Sequence, residues 1–225
     1  GMGLDDYRYN TILIEESVKA ENPGFGHSVQ NDLVVPYLLR HTTEEQKKRW
    51  LPKICSGETI GALAMTEPGG GSDVAAIKTL AKDMGDHFLV NGSKSFITNG
   101  LLADLVIVAC KTDSKAGAHG ISLIILERGM EGFERGNKLD KIGQVGQDTA
   151  ELFFKDVKVP KENLLGEEGK GFYYMMESLP KERLSIAAGS IAVIEFVLDL
   201  TIQYCHDRKA FGQKIGSFQN SKFKL

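Results

Sequence analysis

The stretch Met65-Thr66-Glu67-Pro68-Gly69-Gly70-Gly71-Ser72-Asp73 organises this sequence. Its consecutive glycines can adopt backbone angles that other residues avoid, and they let main-chain N–H groups approach a ligand closely. Pro68 fixes its own φ and favours an extended Glu67, so the run predicts a strand, a corner and then an open loop. Successive N–H groups in such a loop can form a concave nest for an anion, with the hydroxyls of Thr66 and Ser72 at its edges. The alternative for a glycine run is a flexible surface loop.

A second patterned segment, Gly92 to Gly100, follows later in the chain. Within it, Phe96-Ile97-Thr98 presents an aromatic, an aliphatic and a hydroxyl side chain in succession. A corner that carries hydroxyls beside such a triplet suits a flat, ring-shaped ligand with polar edges. The two segments together therefore favour a cofactor site over a plain loop.

Composition narrows the class of protein. The 225 residues are 42% hydrophobic and 25% charged with a net charge of −3, which is ordinary for a globular protein and argues against nucleic-acid binding. The longest apolar run, from about Leu184 to Ile194, is too short to span a bilayer, and no secretory signal is recognised. The cysteines are odd in number and not spaced as metal ligands, so we expect no metal site and a reducing compartment with buried thiols; they are Cys55, Cys110 and Cys205.

Hydrophobic periodicity predicts helices over residues 7–20 and 28–41, the second kinked or delayed by Pro36. A third helix is expected to begin at a Thr42 or Thr43 cap and to end at Gly57. The pattern then changes to strand-like runs at 60–65, 87–91, 95–98, 104–110, 120–126 and 149–158, with Asn91-Gly92 as a hairpin signal. Because no helix of useful length separates these runs, we expect an antiparallel barrel or sandwich. No Rossmann glycine motif lies between a strand and a helix.

From about Gly169 the pattern is helical again. It predicts a short helix from Phe172 to Leu179, a new start at Pro180, a long helix over 181–207 and another helix from Ser217. The long helix is apolar nearly all round, so we expect it to be buried among helices of its own subunit or a neighbour's. The fold class is therefore α+β, with an N-terminal helical domain at 1–58, a central β domain at 59–165 and a C-terminal helical domain at 166–225.

Three motifs, taken in order, resemble those of the acyl-CoA dehydrogenase family. Met65 to Asp73 resembles its flavin-loop signature, with Gly70 where alanine is common. Asn91-Gly92-Ser93-Lys94 and Phe96 to Gly100 resemble its second flavin motif, and Arg208 to Gln213 with Phe218-Gln219 resembles its third. The resemblance covers essentially the whole chain, although a full member would have further helices at both ends.

The resemblance implies FAD as the cofactor. Thr66 would bond the isoalloxazine, Phe96 would pack on the flavin ring, and Thr98 would lie near N5, where hydride arrives. The implied FAD-binding set is Leu63, Ala64, Met65, Thr66, Gly71, Ser72, Phe96, Ile97, Thr98, Arg208, Phe211 and Gln219. Arg208 and Gln219 would contact the FAD of a neighbouring subunit, which implies a homo-oligomer, expected to be a dimer of dimers. The plainer alternatives are a core position for Phe96 and a helix-end charge for Arg208.

The resemblance also implies an acyl-CoA substrate. Its contacts would be Ser72, Ala118, His119, Tyr173, Pro180, Lys181, Glu182 and Arg183. Flavin dehydrogenation of a thioester needs a desolvated carboxylate close to the α C–H, and some family members carry it just before an arginine at the start of the long helix. Glu182-Arg183 matches that pattern, which is similar to the long-chain and isovaleryl branches. The alternative for Glu182 is a solvated acid in the first turn of a helix, favoured by the dipole.

Three functions are compatible with these motifs. The first is an FAD-dependent acyl-CoA dehydrogenase that forms a trans-2-enoyl-CoA from a medium- or long-chain thioester and passes electrons to an electron-transfer flavoprotein. The second is an oxygen-using, acyl-CoA oxidase-like relative, and the third is a catalytically silent module that binds flavin or CoA ester. A bacterial cytoplasm and a mitochondrial matrix both suit the composition, and we expect the bacterial cytoplasm.

Overall fold

The computed structural model describes residues 6–22, 24 and 26–225. Tertiary contacts divide the chain into two units. The sheet unit comprises residues 24 and 26–182 of the described part, and the helical unit comprises 6–22 and 183–225. The boundary between Glu182 and Arg183 falls inside one helix, so the predicted domain limits and these two units are different divisions of the chain.

The sheet unit begins with two helical segments. A π-helical turn at Val29–Val34 leads directly into helix α2 at Val35–His41. Pro36 therefore lies in the first turn of α2, where the wider turn before it accommodates a missing N–H. Helix α3, Glu44–Ser56, has the predicted cap: Thr43 Oγ1 accepts from the Gln46 amide at 3.2 Å, and Gly57 ends the helix with φ 80°.

One eight-stranded sheet forms the centre of this unit. Its strands are β1 Gly61–Ala64, β2 Leu80–Asp83, β3 His87–Thr98, β4 Leu105–Lys111, β5 Ile121–Glu127, β6 Phe133–Lys138, β7 Thr149–Pro160 and β8 Leu164–Leu165. The order is β6-β7-β3-β2-β4-β5-β8, with β1 beside β4. The α+β class is confirmed. The sheet is open and mixed, because β1 pairs with β4 in parallel and β2 touches β4 in parallel, while the other pairs are antiparallel.

The hairpin prediction at Asn91-Gly92 is wrong. These residues lie inside β3, which runs on against β7 with a register shift between Val90 and Gly92. Gly92 has φ 149°, and a Cβ there would lie 2.5 Å from Thr79 Oγ1, so the glycine permits a close approach of the neighbouring chain. The hairpin connects β2 to β3 instead and contains Gly85 at φ 98°.

Two apolar layers bury the sheet on both faces. Phe88, Val106 and Phe154 belong to one layer. The other layer joins Tyr37, Trp50, Ile107 and Met175, so α2, α3 and the residues that follow Gly171 pack on that face. Strands β4 and β5 are buried along nearly their whole length, as central strands covered on both faces are.

Helix α4 is a single element of 37 residues, Gly171–Asp207, and belongs to both units. The predicted break at Pro180 is therefore wrong. An internal proline removes one N–H bond at a cost of roughly 3 kcal/mol. The turn before Pro180 is anchored by Met175 and Ser178, which are buried, and this packing offsets the missing bond.

The helical unit contains α1 Arg8–Lys19, the rest of α4, a hairpin of β9 Lys209–Ala210 and β10 Gln213–Lys214, and α5 Gln219–Lys224. Ile14 of α1 is buried and approaches Gly189, where a Cβ would lie 3.6 Å from its Cγ2. Helix α5 begins later than predicted because Ile215–Ser217 forms a 3₁₀ turn.

The apolar side chains of α4 beyond Glu182 are mostly exposed in this chain, so helices of the same chain within the described residues do not cover them, and burial against a neighbouring subunit stays a prediction. Ile186 is 73% exposed, and similar side chains are Leu184, Ile191, Ile194, Val197, Leu198 and Leu200. Within the described residues α4 is the one helix long and apolar enough to cross a membrane by length and composition, a test that core helices of soluble proteins also pass. Cys55 is also exposed, whereas Cys110 and Cys205 are buried.

Candidate functional site

The glycine corner is a tight turn closed by its own main chain. The Glu67 amide donates to the Gly70 carbonyl and the Gly70 amide donates to the Glu67 carbonyl, both at 3.1 Å, with Pro68-Gly69 between them. None of Gly69, Gly70 and Gly71 has a positive φ, so unusual backbone angles do not explain these glycines. The Gly70 N–H is used inside the turn and is not free for the expected anion nest. Open space surrounds Gly69 and Gly70, so these glycines would let a ligand approach the main chain closely.

A buried ion pair, which the sequence analysis did not identify, fixes the base of this corner. Lys94 of β3 is fully buried, and its Nζ lies 2.9 Å from Glu67 Oε1 and 2.9 Å from the Met65 carbonyl. Glu67 also accepts from the amides of Lys78 and Thr79 at 2.6 and 2.9 Å. Burial alone would raise the pKa of Glu67, but these hydrogen bonds outweigh it and hold the pKa below its usual value. Burial lowers the pKa of Lys94.

The two predicted flavin motifs meet directly. The Ser95 amide donates to the Thr66 carbonyl at 2.9 Å, and the Asn99 side-chain amide donates to the Gly61 carbonyl at 3.1 Å. A second register shift in β3, between Lys94 and Ile97, turns Phe96 outward at φ 60° with 69% of the residue exposed. A bulky residue in the left-handed region is a genuine outlier, and such strain is concentrated at functional sites. Phe96 is therefore not the core residue that the plainer alternative describes.

Of the remaining residues in the first two motifs, some are buried and others reach the surface. Leu63, Ala64 and Ile97 are buried, so they can offer main-chain groups to a ligand but little side-chain surface. Side chains that reach the surface at least in part are Met65, Thr66, Ser72 and Thr98, and Gly71 is exposed beside them.

A second group of predicted residues lies beyond the corner. The 3₁₀ turn Val74–Ala76, which follows Ser72, packs against the 3₁₀ turn Gly117–Gly120 that carries Ala118 and His119. His119 Nδ1 is 3.3 Å from the Tyr173 hydroxyl, and Tyr173 lies in the first turn of α4. The ammonium of Lys170 is 5.4 Å from the centre of the Tyr173 ring. The structure thus joins the glycine corner to the start of α4 through His119 and Tyr173.

Glu182 lies further along α4, well inside the helix. It is 9% exposed, and its Oε1 accepts a hydrogen bond from the Tyr37 hydroxyl of α2 at 3.2 Å. Burial raises the pKa of Glu182 above its usual value, and the bond from Tyr37 partly opposes this. Because α4 begins at Gly171, Glu182 is not a first-turn acid, and neither the solvated alternative nor a lowering of the pKa by the helix terminus applies. Its neighbours Pro180 and Lys181 are exposed.

In the helical unit the predicted residues lie on one exposed segment. Phe211 forms the tip of the β9–β10 hairpin, where it is 97% exposed at φ 52°. Its ring lies edge-on to Phe218 with the centroids 6.3 Å apart, and Gln219 follows as the first residue of α5. Arg208 follows the end of α4 and is exposed, as is Arg183 where this unit begins.

Known proteins match along the chain. Three family models match: "Acyl-CoA dehydrogenase, N-terminal domain" at residues 1–58, "Acyl-CoA dehydrogenase, middle domain" at 62–157 and "Acyl-CoA dehydrogenase, C-terminal domain" at 169–225. The mitochondrial long-chain specific acyl-CoA dehydrogenase of Sus scrofa is 48% identical over 227 residues, which is 100% of this chain and 53% of that protein. The mitochondrial isovaleryl-CoA dehydrogenase of Pongo abelii is 46% identical over 100% of this chain and 54% of its own length.

Among solved structures, the acyl-CoA dehydrogenase from Geobacillus kaustophilus superposes with a TM-score of 0.96 and 51% identity. The match covers 100% of this chain and 59% of that one. The chain therefore spans about half the length of the curated relatives it matches.

Proposed function

The chain belongs to the acyl-CoA dehydrogenase family, and on that premise we propose that it is part of an FAD-dependent acyl-CoA dehydrogenase. The proposed reaction removes two hydrogens across the α and β carbons of a medium- or long-chain acyl-CoA and yields the trans-2-enoyl-CoA. The observation that carries this proposal is the buried carboxylate of Glu182, whose pKa is raised by burial towards the range of a working base.

The residues of the glycine corner and of β3 fit a flavin. Phe96 offers an exposed ring in a strained backbone, next to Ser95, whose amide donates to the Thr66 carbonyl, and Gly69 and Gly70 leave open space around the turn. In our proposal FAD contacts Leu63, Ala64, Met65, Thr66, Gly71, Ser72, Phe96, Ile97 and Thr98. Arg208 and Gln219 contact the FAD of a second copy, and Phe211 completes the proposed FAD-binding set. Bound FAD would supply the acceptor for the hydride that leaves the β carbon.

Glu182 has the role of the catalytic base in this proposal. Its carboxylate accepts the α proton of the thioester, while the β hydrogen leaves with its electron pair, so the substrate loses two hydrogens in all. Burial keeps water from the carboxylate and raises its proton affinity, which suits it to a weakly acidic C–H. The proposed acyl-CoA contacts are Ser72, Ala118, His119, Tyr173, Pro180, Lys181 and Arg183.

The proposal also includes an oligomer and an electron acceptor. Several large apolar side chains of α4 are about half exposed or more, among them Ile186, Ile191 and Ile194, and exposed apolar patches mark interaction sites, so we propose that helices of the same protein cover them in a dimer of dimers. An electron-transfer flavoprotein is the proposed electron acceptor. We further propose the domain limits 1–58, 59–165 and 166–225.

The proposed location is a reducing compartment, and we propose the bacterial cytoplasm. The two relatives named above are mitochondrial, so a mitochondrial matrix is the alternative.

The catalytically silent module is a second candidate because the apolar face of α4 is exposed in the described residues. It predicts protein without flavin, or flavin that acyl-CoA does not reduce. The oxygen-using relative predicts hydrogen peroxide in air without an added acceptor.

Anaerobic titration with CoA esters of several chain lengths tests the proposal, with loss of the visible flavin absorbance as the signal. We expect bleaching by saturated esters and none by the corresponding enoyl esters. Glu182→Gln should keep the flavin but lose ~10²–10⁴ of the rate of bleaching. Glu177→Gln, an exposed glutamate on the same helix, is the matched control and should bleach normally. Normal bleaching by Glu182→Gln would remove that residue from the role of base.

A further inference from the structure

The hydroxyl of Tyr37 and the carboxylate of Glu182 form a buried contact between two distant parts of the sequence. The residues are 145 positions apart, and the oxygen–oxygen distance is 3.2 Å. Tyr37 is fully buried, and it packs in the apolar layer that joins α2 to the sheet and to the start of α4. Its hydroxyl therefore donates to Glu182 in a place where water does not compete for the bond.

We propose that Tyr37 is the positioning residue for the catalytic carboxylate: its hydroxyl holds Oε1 of Glu182 and leaves Oε2 for the substrate. This inference rests on the proposed function of Glu182. Oε2 has no hydrogen-bond partner within the described part of the chain, so the carboxylate keeps one oxygen that can accept a proton. The sequence shows Tyr37 only as one of the apolar positions of a helix, and nothing local to it indicates a polar role.

The same bond sets the proton affinity of the base. Burial disfavours the ionised carboxylate, whereas a hydroxyl donor favours it, so the two effects oppose each other at Glu182. Burial and the nearby Glu182 charge both raise the pKa of Tyr37, so its phenol stays protonated and remains a donor across the working pH range. Removal of the phenol oxygen should therefore raise the pKa of Glu182 further.

The helices that carry Tyr37 and Glu182 also carry other ionisable groups. His41 lies one turn beyond Tyr37 on α2, with the ring centroids 6.2 Å apart, and stacks on Tyr174 at 4.0 Å. Burial lowers the pKa of His41 below its usual value, with a smaller opposing effect from Glu177. On α2 the ionisable groups are Tyr37, Arg40 and His41, and on the stretch of α4 from Tyr174 to Arg183 they are Tyr174, Glu177, Lys181, Glu182 and Arg183.

Tyr37→Phe tests the inference in the flavin-loaded full chain. We expect the acid limb of the kcat/KM profile to move up by about one pH unit, because a donor to the ionised base is lost. Tyr174→Phe is the matched control: it removes the same atom from α4, but that hydroxyl lies 3.2 Å from the Glu167 amide and has no part in the contact. The acid limb of Tyr174→Phe should stay where it is in the parent protein.

A second readout does not depend on turnover. The carboxyl carbon of Glu182 can be followed by ¹³C NMR in glutamate-labelled protein and assigned by its absence from Glu182→Gln. Its titration should move up by the same amount in Tyr37→Phe. Should that variant fail to fold, difluorotyrosine introduced at position 37 keeps the hydroxyl, makes it a stronger donor and should shift the titration of Glu182 down.

The outcomes separate the two proposals. Turnover by Glu182→Gln would end the proposed function and this inference together. If Glu182→Gln is inactive while Tyr37→Phe leaves both the acid limb and the NMR titration unchanged, Tyr37 has only a structural role and the inference alone is overturned. A uniform fall of kcat/KM at every pH, with no shift of the limb, would also overturn it.

Discussion

Nζ of Lys94 and Oε1 of Glu67 lie 2.9 Å apart, and the lysine side chain is fully buried. The pair joins β3 to the glycine corner, and Lys94 also donates to the carbonyl of Met65 just before that corner. The two motifs that meet at Thr66 and Ser95 are therefore fixed by a charge pair beneath them. Because a buried ion pair is costly to break but contributes little net stability, its main effect is to select one geometry for the corner.

Lys94→Met should destabilise the sheet unit by about 3–5 kcal/mol, because Glu67 would be left as a buried charge without its partner. Urea unfolding followed by circular dichroism measures the change. Lys78→Met is the control, since that side chain is exposed and should change stability by less than about 0.5 kcal/mol. The double variant Glu67→Gln with Lys94→Met removes both charges and keeps one oxygen that can accept from the Lys78 or Thr79 amide, so it should recover part of the loss. A single variant as stable as the parent would show that the pair does not hold the corner.

Stability should depend on the protonation of Glu182. Its pKa is raised in the folded protein above the ordinary 4.5, mainly by burial, so the native state holds the proton more tightly than the unfolded chain does. This contribution to the unfolding free energy is fully present below 4.5 and is lost as pH rises through the folded pKa. Glu182→Gln should therefore gain stability relative to the parent at alkaline pH but not at pH 4. Urea midpoints measured across that range test the sign, and a gain confined to acid pH would contradict it.

Phe96→Ala should lower FAD affinity by about tenfold, because one aromatic contact is lost. Its free energy of unfolding should stay within about 0.5 kcal/mol of the parent's. Stability is little affected because the ring is exposed. Phe96→Gly should be at least as stable, since glycine tolerates φ 60°. The affinity is measured by adding FAD to the apoprotein and following the change in flavin fluorescence on binding.

Phe153→Ala serves as the control for this pair, because Phe153 is a partly exposed phenylalanine on β7 outside the two flavin motifs. Its FAD affinity should equal that of the parent. Equal affinity of Phe96→Ala and the parent would remove Phe96 from the proposed flavin site.

Gly92→Ala should destabilise the fold by about 2–4 kcal/mol, since it combines a disfavoured φ with overpacking against Thr79. Gly70→Ala should change stability by less than about 0.5 kcal/mol, because open space surrounds Gly70 and its φ is negative. Thermal unfolding of the two variants side by side measures the contrast. Equal effects would mean that the glycines of the corner and of β3 serve the same backbone role.

The sequence by itself determined what is encoded within a few neighbouring residues. A threonine cap at Thr42 or Thr43, the stop at Gly57, the α+β class and the order of the three motifs that resemble those of the family all follow from local patterns. These signals act through hydrogen bonds and periodicities that span only one or two turns, so at these positions no distant partner was needed to predict them.

The tertiary structure alone decided the features that depend on distant partners. Asn91-Gly92 forms a bulge because β7 pairs along all of β3, and α4 continues through Pro180 because its first turns pack in the core. Lys94 with Glu67, and Tyr37 with Glu182, are polar pairs whose members lie on different elements. Each residue looks ordinary in its own segment. The energy of a buried polar group depends on the partner that packing brings to it, and no local pattern carries that information.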